Sequence, residues 1–318
     1  MKEKVCIIVA YFGKFPNYFS LWLKSCEMNP NVNFLLVTDA EVGNRPANVT
    51  VYKTDLKDVK EKASCILGFE VALERPYKMC DYKPAYGLIF SDLLSGYDYW
   101  GHCDVDLIFG DLQSCFEKYN LSEYDRFLPL GHLSLYKNDD EVNNRFKSEQ
   151  LSPNYKEVFT NDKNFTFDEM GGMTTFYANG EYPFFNKRVF ADIASIYHRY
   201  RVIEEYIYDE CPRNYPNQIF TWENGKCYRE WILGGQLHKE EYVYVHFKKR
   251  PNFNVDFDIE TVNSFYITNI GFVEKTGETT LDIIKTLNPY PGKLYEDFEF
   301  IKAKISLYLN AIKSKIKR

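Results

Sequence analysis

The chain has no CxxC pair, no histidine at zinc-finger spacing, no GxGxxG and no apolar run long enough to cross a membrane. Each absence removes a class. Its eight cysteines, Cys6, Cys26, Cys65, Cys80, Cys103, Cys115, Cys211 and Cys227, sit mostly in apolar or strand-like stretches. They read as reduced, buried thiols of a cytosolic protein and not as a disulfide framework or zinc site. Without GxGxxG the dinucleotide phosphate loop is missing. The first apolar run, residues 5–10, is too short for a secretory signal or a span, which predicts a cytoplasmic protein. Excess positive charge is lacking too: the net charge is -6, so nothing points to nucleic acid. No repeat or low-complexity linker divides the chain, and one boundary, before the basic tail, is defensible.

What is present is a 318-residue chain with 45% hydrophobic and 17% aromatic content, a globular composition. The 26 tyrosines and 25 phenylalanines suit a surface that stacks on sugars, or simply an aromatic core. The order of segments predicts an α/β fold. Residues 5–10 read as a buried parallel strand ending in a glycine-bearing loop, Tyr11-Phe12-Gly13, and 18–26 as a helix. Residues 33–39 form a second strand ending in Asp39, which could hold a nucleoside base or ribose or merely cap a loop. Residues 49–52 are a third strand. A helix follows from Asp55 to Ala63, its character extending through 67–73. Pro84 suits the first turn of a helix to about Leu94, with Lys83 at its mouth, where a cation and a helix amino terminus could share a diphosphate.

The strongest chemical signal is Asp104-Val105-Asp106, at the end of the aromatic run 97–103. Alternation aims both carboxylates to one side. Two such groups repel unless a cation lies between them or one takes a proton, which predicts a divalent metal or a raised pKa. Residues 127–136 are strand-like, and Gly131 would let a ligand approach. Residues 138–164 are polar and weakly patterned, predicting a flexible or acceptor-facing region. Asp168 and Glu169 then form an acidic pair in an aromatic setting. Thr166 and Asp168 could cap a helix, but two adjacent acids exceed what capping needs, so a catalytic or acceptor-binding role is expected of one of them. Residues 219–230 read as a hairpin with a glycine turn. His246 ends a strand just before Lys248-Lys249-Arg250. A ligating imidazole followed by cations fits a metal-diphosphate better than a core.

From Tyr295 onward, Phe298, Ile301, Ile305, Leu309, Ile312 and Ile316 form a helical stripe, and Lys302, Lys304, Lys313, Lys315, Lys317 and Arg318 make the rest basic. Such a helix lies on an anionic membrane surface or docks its stripe on the body. The expected organisation is one domain over 1–294, with halves of about 1–135 and 136–294, and a basic amphipathic helix over 295–318.

The amino-terminal βαβ unit, the DxD at 104–106, the acidic pair and the late His246 with its cations resemble the GT-A glycosyltransferases. The YFG start, the KPAYG segment and the HxxKR-like end are most similar to bacterial capsular and cell-surface polysaccharide-biosynthesis glycosyltransferases. The resemblance covers about residues 5–250. It implies a GT-A mixed sheet flanked by helices, a nucleotide-sugar donor such as a UDP-sugar, Mn²⁺ or Mg²⁺, and a glycan or lipid-linked acceptor. Asp104, Asp106 and His246 would hold the metal, with Asp104 also near the ribose. Tyr11 and Phe12 would line the base pocket and Asp39 would reach base or ribose. Lys83, Lys249 and Arg250 would neutralise the diphosphate, and Asp168 or Glu169 would deprotonate the acceptor in an inverting reaction. A place on the inner face of the plasma membrane would follow from the tail. Two other readings stand beside it: a nucleotidyltransferase acting on sugar phosphates, for which Tyr11-Phe12-Gly13-Lys14-Phe15 is poor in glycine and cations, and a catalytically silent carbohydrate-binding protein.

Overall fold

Continuous apolar runs flanked by helices become a parallel sheet. In the computed structural model, which describes residues 3–204, 212–248 and 253–316, they do so in the first of two compact units, Met1–Arg188 and Val189–Arg318. Strand β1 (Val5–Ala10) pairs in parallel with β2 (Val32–Thr38), joined by helix α1 (Phe19–Glu27), and β2 pairs in parallel with β3 (Val49–Lys53). Helix α2 (Leu56–Leu67) starts where Asp55 accepts the Asp58 N–H at 2.8 Å. It ends earlier than the sequence predicts, because Gly68 turns left-handed at φ 78°. Val71 and Leu73 bury themselves from the chain beyond it, outside any helix.

After α3 (Met79–Tyr82), the helix expected from Pro84 to about Leu94 is reduced to α4 (Tyr86–Ile89), between 3₁₀ turns at Lys83–Ala85 and Ser91–Leu93. Gly87 in α4 lies against Trp100 and Asn143, so closely that any side chain there would strike them. Strand β4 (Tyr99–Cys103) is buried along its length and pairs in parallel with the other side of β1, Val5 opposite Tyr99 and Ile8 opposite His102. After it come β5 (Leu107–Phe109) and α5 (Leu112–Lys118), the latter capped by Asp111, which accepts the Ser114 N–H at 2.9 Å. The stretch 127–136 is two strands, not one: β6 (Arg126–Leu130) and β7 (Leu133–Lys137) form an antiparallel pair with Gly131-His132 at its turn.

The polar region 138–164 contributes to the core. Helices α6 (Asp140–Asn144) and α7 (Tyr155–Phe159) bury Val142, Val158 and Phe159, the 3₁₀ turn after α6 buries Phe146, and Phe159 stacks on Tyr82 with centroids 4.4 Å apart. Its few apolar residues are the ones that pack. Helix α8 (Met173–Asn179) and β8 (Phe184–Phe185) complete a seven-stranded mixed sheet in the order β3-β2-β1-β4-β7-β6-β8, so the α/β class with helix-flanked mixed sheet is what the chain adopts.

The second unit is mostly antiparallel. A short parallel pair joins β9 (Ala191–Asp192) to a strand ending in His246. Strands β10 (Gln218–Glu223), β11 (Lys226–Leu233) and β12 (Gln236–Tyr242) form consecutive hairpins. The first hairpin turns through Asn224 and Gly225, both at positive φ, as the sequence predicts for a two-residue primed turn. Strand β13 (Tyr244–His246) carries the imidazole, and β14 (Asn254–Val255), β15 (Ser264–Thr268) and β16 (Gly271–Glu274) extend the sheet to the order β12-β11-β10-β15-β16-β14. Helix α9 (Leu281–Leu287) packs Ile284 on Ile219 and Tyr266, and α10 (Lys293–Ile316) follows. Among the described residues no helix is long and apolar enough to cross a membrane. The seven described cysteines are unbridged, and burial pushes the Cys6 thiol up to about 12; Cys211 lies outside the described residues.

Candidate active site

In the first unit the chain lays β2 and β3 on one side of β1 and then continues with β4 on the other. The carboxyl ends of β1 and β4 therefore flank the point where the winding reverses, the usual place for a ligand crevice in an open α/β sheet. Tyr11 and Gly13 follow β1, Asp39 follows β2, and Asp104-Val105-Asp106 follows β4. Val105 is buried between two half-buried aspartates, and the Asp104 N–H donates to the His132 carbonyl at 3.0 Å. Asp39 ties two of these loops together, its Oδ1 accepting the Gly13 N–H at 2.7 Å while Gly13 sits at φ 97°. The Tyr11 ring stacks on Phe15 at 4.8 Å. Its hydroxyl is held above its ordinary value by burial and then by the Asp106 carboxylate, so the charge of Asp106 reaches the β1 loop. Phe12 is buried in the core of this unit.

Lys83 is the hub. Its ammonium donates to Asp104 Oδ1 at 2.7 Å and to the Gly131 carbonyl at 2.8 Å, and lies 3.2 Å from Asp168 Oδ2. The anions facing this buried lysine are thus the protein's own. Burial alone would lower its pKa, but Asp104 and then Asp168 outweigh that and hold it well above the usual lysine range. The Asp168 carboxyl goes the other way from most ion-paired acids, up to about 7. Burial is the main cause, and the charges of Glu169 and Asp104 add to it against the pull of Lys83. One ammonium among three carboxylates cannot neutralise them all, and the most buried acid takes the proton.

The segment that carries Asp168 is held by residues the sequence did not single out. Asp81 accepts the N–H groups of Phe165 and Phe167, each at 3.0 Å, on either side of Thr166, which sits at φ 52°. A left-handed β-branched residue is strained backbone and persists where its surroundings fix it. Asp81 is itself paired with Lys78 at 2.9 Å, and Lys78 also donates to the Val158 and Lys163 carbonyls; both side chains are fully buried. From the other side, Arg126 Nη2 donates to the Pro129 carbonyl at 3.0 Å and the Asp168 carbonyl at 3.4 Å. Neither Thr166 nor Asp168 caps a helix: α8 begins only at Met173, with Gly172 before it. Lys78 and Asp81 do have the i,i+3 spacing of a helical ion pair, but their main partners are backbone groups some eighty residues away, which leave no local trace.

Gly131 admits side chains of this chain to its backbone. A Cβ there would collide with Asp168 Oδ2 and Glu169 Cγ. Gly131→Ala is therefore expected to push Asp168 off Lys83 and to cost about 1–3 kcal/mol. A thermal melt and a pH titration of the variant check both effects.

In the second unit, His246 Nδ1 lies 2.9 Å from Asp192 Oδ1, and Lys248 Nζ lies 3.1 Å from the same oxygen. An imidazole whose Nδ1 donates to a carboxylate carries its lone pair on Nε2, the tautomer that ligates metals. Asp192, in a two-residue strand, gave no signal in the sequence. Lys249 and Arg250 lie outside the described residues. Chemically, the first unit presents hard oxygen donors at a crevice and a buried acid that titrates near neutrality, a combination suited to proton transfer beside a bound cation.

The profile of a family described as "Family of unknown function (DUF6625)" matches residues 7–276. No curated protein matches the chain. Among solved structures, the galactosyltransferase LgtC in complex with donor and acceptor sugar analogs is similar over 59% of this chain and 75% of its own, at 10% identity and a TM-score of 0.33. Mouse xyloside xylosyltransferase 1, in its apo form, is similar over 60% of this chain and 88% of its own, at 9% identity and a TM-score of 0.38.

Proposed function

The chain belongs to the DUF6625 family, whose description assigns no activity, and we propose that it is a metal-dependent GT-A glycosyltransferase that moves a sugar from a nucleotide donor to a glycan or lipid-linked acceptor. A UDP-sugar donor and a role in bacterial surface polysaccharide synthesis complete the reading. The observation that carries it is Asp104-Val105-Asp106 at the carboxyl end of β4, at the reversal of the sheet's winding, with Asp104 bonded to Lys83. In this reading residues 1–135 handle the donor and 136–294 the acceptor, and the protein works in the cytoplasm, peripheral to the inner face of the plasma membrane.

Asp104 and Asp106 would hold Mn²⁺ or Mg²⁺. Carboxylate oxygens suit such hard ions. When bound, the metal supplies positive charge against the departing diphosphate. Tyr11 would line the base site with the buried Phe12 behind it, and Asp39 would reach base or ribose from the loop it already fixes. Lys83, Lys249 and Arg250 would balance phosphate charge. Asp168, helped by Glu169, would take the proton from the acceptor hydroxyl as its oxygen bonds the anomeric carbon and the nucleoside diphosphate leaves.

Titration calorimetry with UDP, with and without Mn²⁺, tests this. Binding is expected only with the metal and weakened about tenfold or more in Asp106→Asn. Metal-independent binding, or none, would overturn the proposal, and the latter would favour a non-catalytic carbohydrate-binding protein. A panel of nucleotide sugars, screened for metal-dependent hydrolysis, identifies the donor.

A further inference from the structure

Helix α10 is fixed at its foot and bare beyond it. Glu296 is buried, pairing through Oε1 with Arg199 Nε and through Oε2 with Arg201 Nη1 at 2.6 Å. The His198 N–H donates to Glu299 Oε1 at 3.1 Å, and the Arg199 guanidinium lies 5.0 Å over the Tyr290 ring. These contacts hold the first turns to the second unit. Away from this clamp, and beyond it, the helix exposes its apolar residues: Leu294 is 87% exposed, Phe298 60%, Ile301 55%, Ile305 55% and Leu309 50%. Their spacing of three and four places them on one side. A soluble helix normally buries such a stripe, and a continuous exposed one marks a contact surface.

Charge decides what covers it. Lys302 follows Ile301 and Lys304 precedes Ile305, so two exposed lysines flank the stripe on opposite sides. After Glu299 the sequence to residue 318 has no acid, while Lys302, Lys304, Lys313, Lys315, Lys317 and Arg318 are all basic, in a chain of net charge -6. Pairing two copies along the stripe would bring the flanking lysines of each against those of the other, a like-charge arrangement that disfavours self-association. An anionic lipid surface satisfies both features together, the stripe entering the acyl boundary and the lysine stems reaching back to the phosphates.

We propose that α10 is an in-plane anchor for an anionic lipid surface, fixed to the second unit by the Glu296 clamp. This surface extends the peripheral placement proposed above, but it rests on the helix alone and is tested without sugar transfer, so either can fail by itself.

The full chain is sedimented with vesicles of phosphatidylcholine alone and of equal parts phosphatidylcholine and phosphatidylglycerol, at low and high salt. About tenfold more protein is expected in the pellet with the anionic vesicles, and the gain should disappear in high salt. The pair Ile301→Asp and Ile305→Asp, which leaves the Glu296 clamp in place, should abolish binding with an unchanged thermal midpoint. Lys302→Glu with Lys304→Glu should lower binding to anionic vesicles. No sedimentation, or equal sedimentation with both vesicle types, overturns the proposal. So does a concentration-dependent dimer in analytical ultracentrifugation that the isoleucine variant dissolves, since a second copy would then cover the stripe. A lowered thermal midpoint in that variant overturns it too, because the stripe would then pack on the body.

Discussion

In the proposed reaction, replacing Asp168 with asparagine is expected to lower kcat for sugar transfer by about 10²–10⁴-fold, the usual loss on removing a general base. The same experiment has a pH signature. Burial, reinforced by Glu169 and Asp104, raises the Asp168 carboxyl to about 7, so below that value the ionised base becomes scarce. The wild-type rate should rise about tenfold per pH unit up to about 7 and then level off, and the asparagine variant should lose this limb. Glu169→Gln removes a charge that raises the pKa of Asp168, so it should move the limb toward acid. Stability follows the same proton. Because the folded pKa lies above the unfolded one, folding favours the protonated acid. That contribution is complete below about 4 and is lost as pH rises through about 7. A pH-independent rate in the wild-type protein, or full activity in Asp168→Asn, would remove Asp168 from the mechanism.

Lys78→Met should cost about 3–5 kcal/mol, because it strands the buried Asp81 carboxylate without its cation. Asp81 would keep the Phe165 and Phe167 N–H groups, but the Val158 and Lys163 carbonyls would lose their donor. Urea unfolding followed by tryptophan fluorescence measures the loss directly, with an unchanged slope indicating that only stability has changed. Substituting both partners, Lys78→Met with Asp81→Leu, should cost less than the sum of the two single changes, since a charge is then no longer left alone. A loss below about 1 kcal/mol in Lys78→Met would mean that water reaches the pair and that the clasp on residues 165–167 is weak.

The strands of the first sheet could be read in the sequence because a parallel strand covered on both faces is a near-continuous apolar run, as β1, β2 and β4 are. The Asn224-Gly225 turn was legible for the same reason that it forms: both positions need positive φ. Errors came where composition and packing diverge. Residues 67–73 are apolar enough to continue a helix, yet Gly68 ends it, and 138–164 looks like a loop although its scattered aromatics fill the core. The site was partly legible. Asp104 and Lys83 stood out by type and position, and the structure joins them, but their link to Asp168 depends on an approach over Gly131 that no local pattern encodes. Asp81, Lys78 and Asp192 act through backbone groups or a single imidazole far along the chain, where sequence spacing says nothing.

The pairing of β1 with β4 joins strands about ninety residues apart, whereas β2 joins β1 within one short helical connection. During synthesis the three parallel strands at the amino end emerge well before Tyr99 does. Until then one side of β1, an apolar strand destined for the middle of the sheet, has no neighbour to hydrogen-bond. The nascent chain thus passes through an interval in which this apolar edge is open, and the arrival of β4, the strand that leads into Asp104-Val105-Asp106, is the event that closes it.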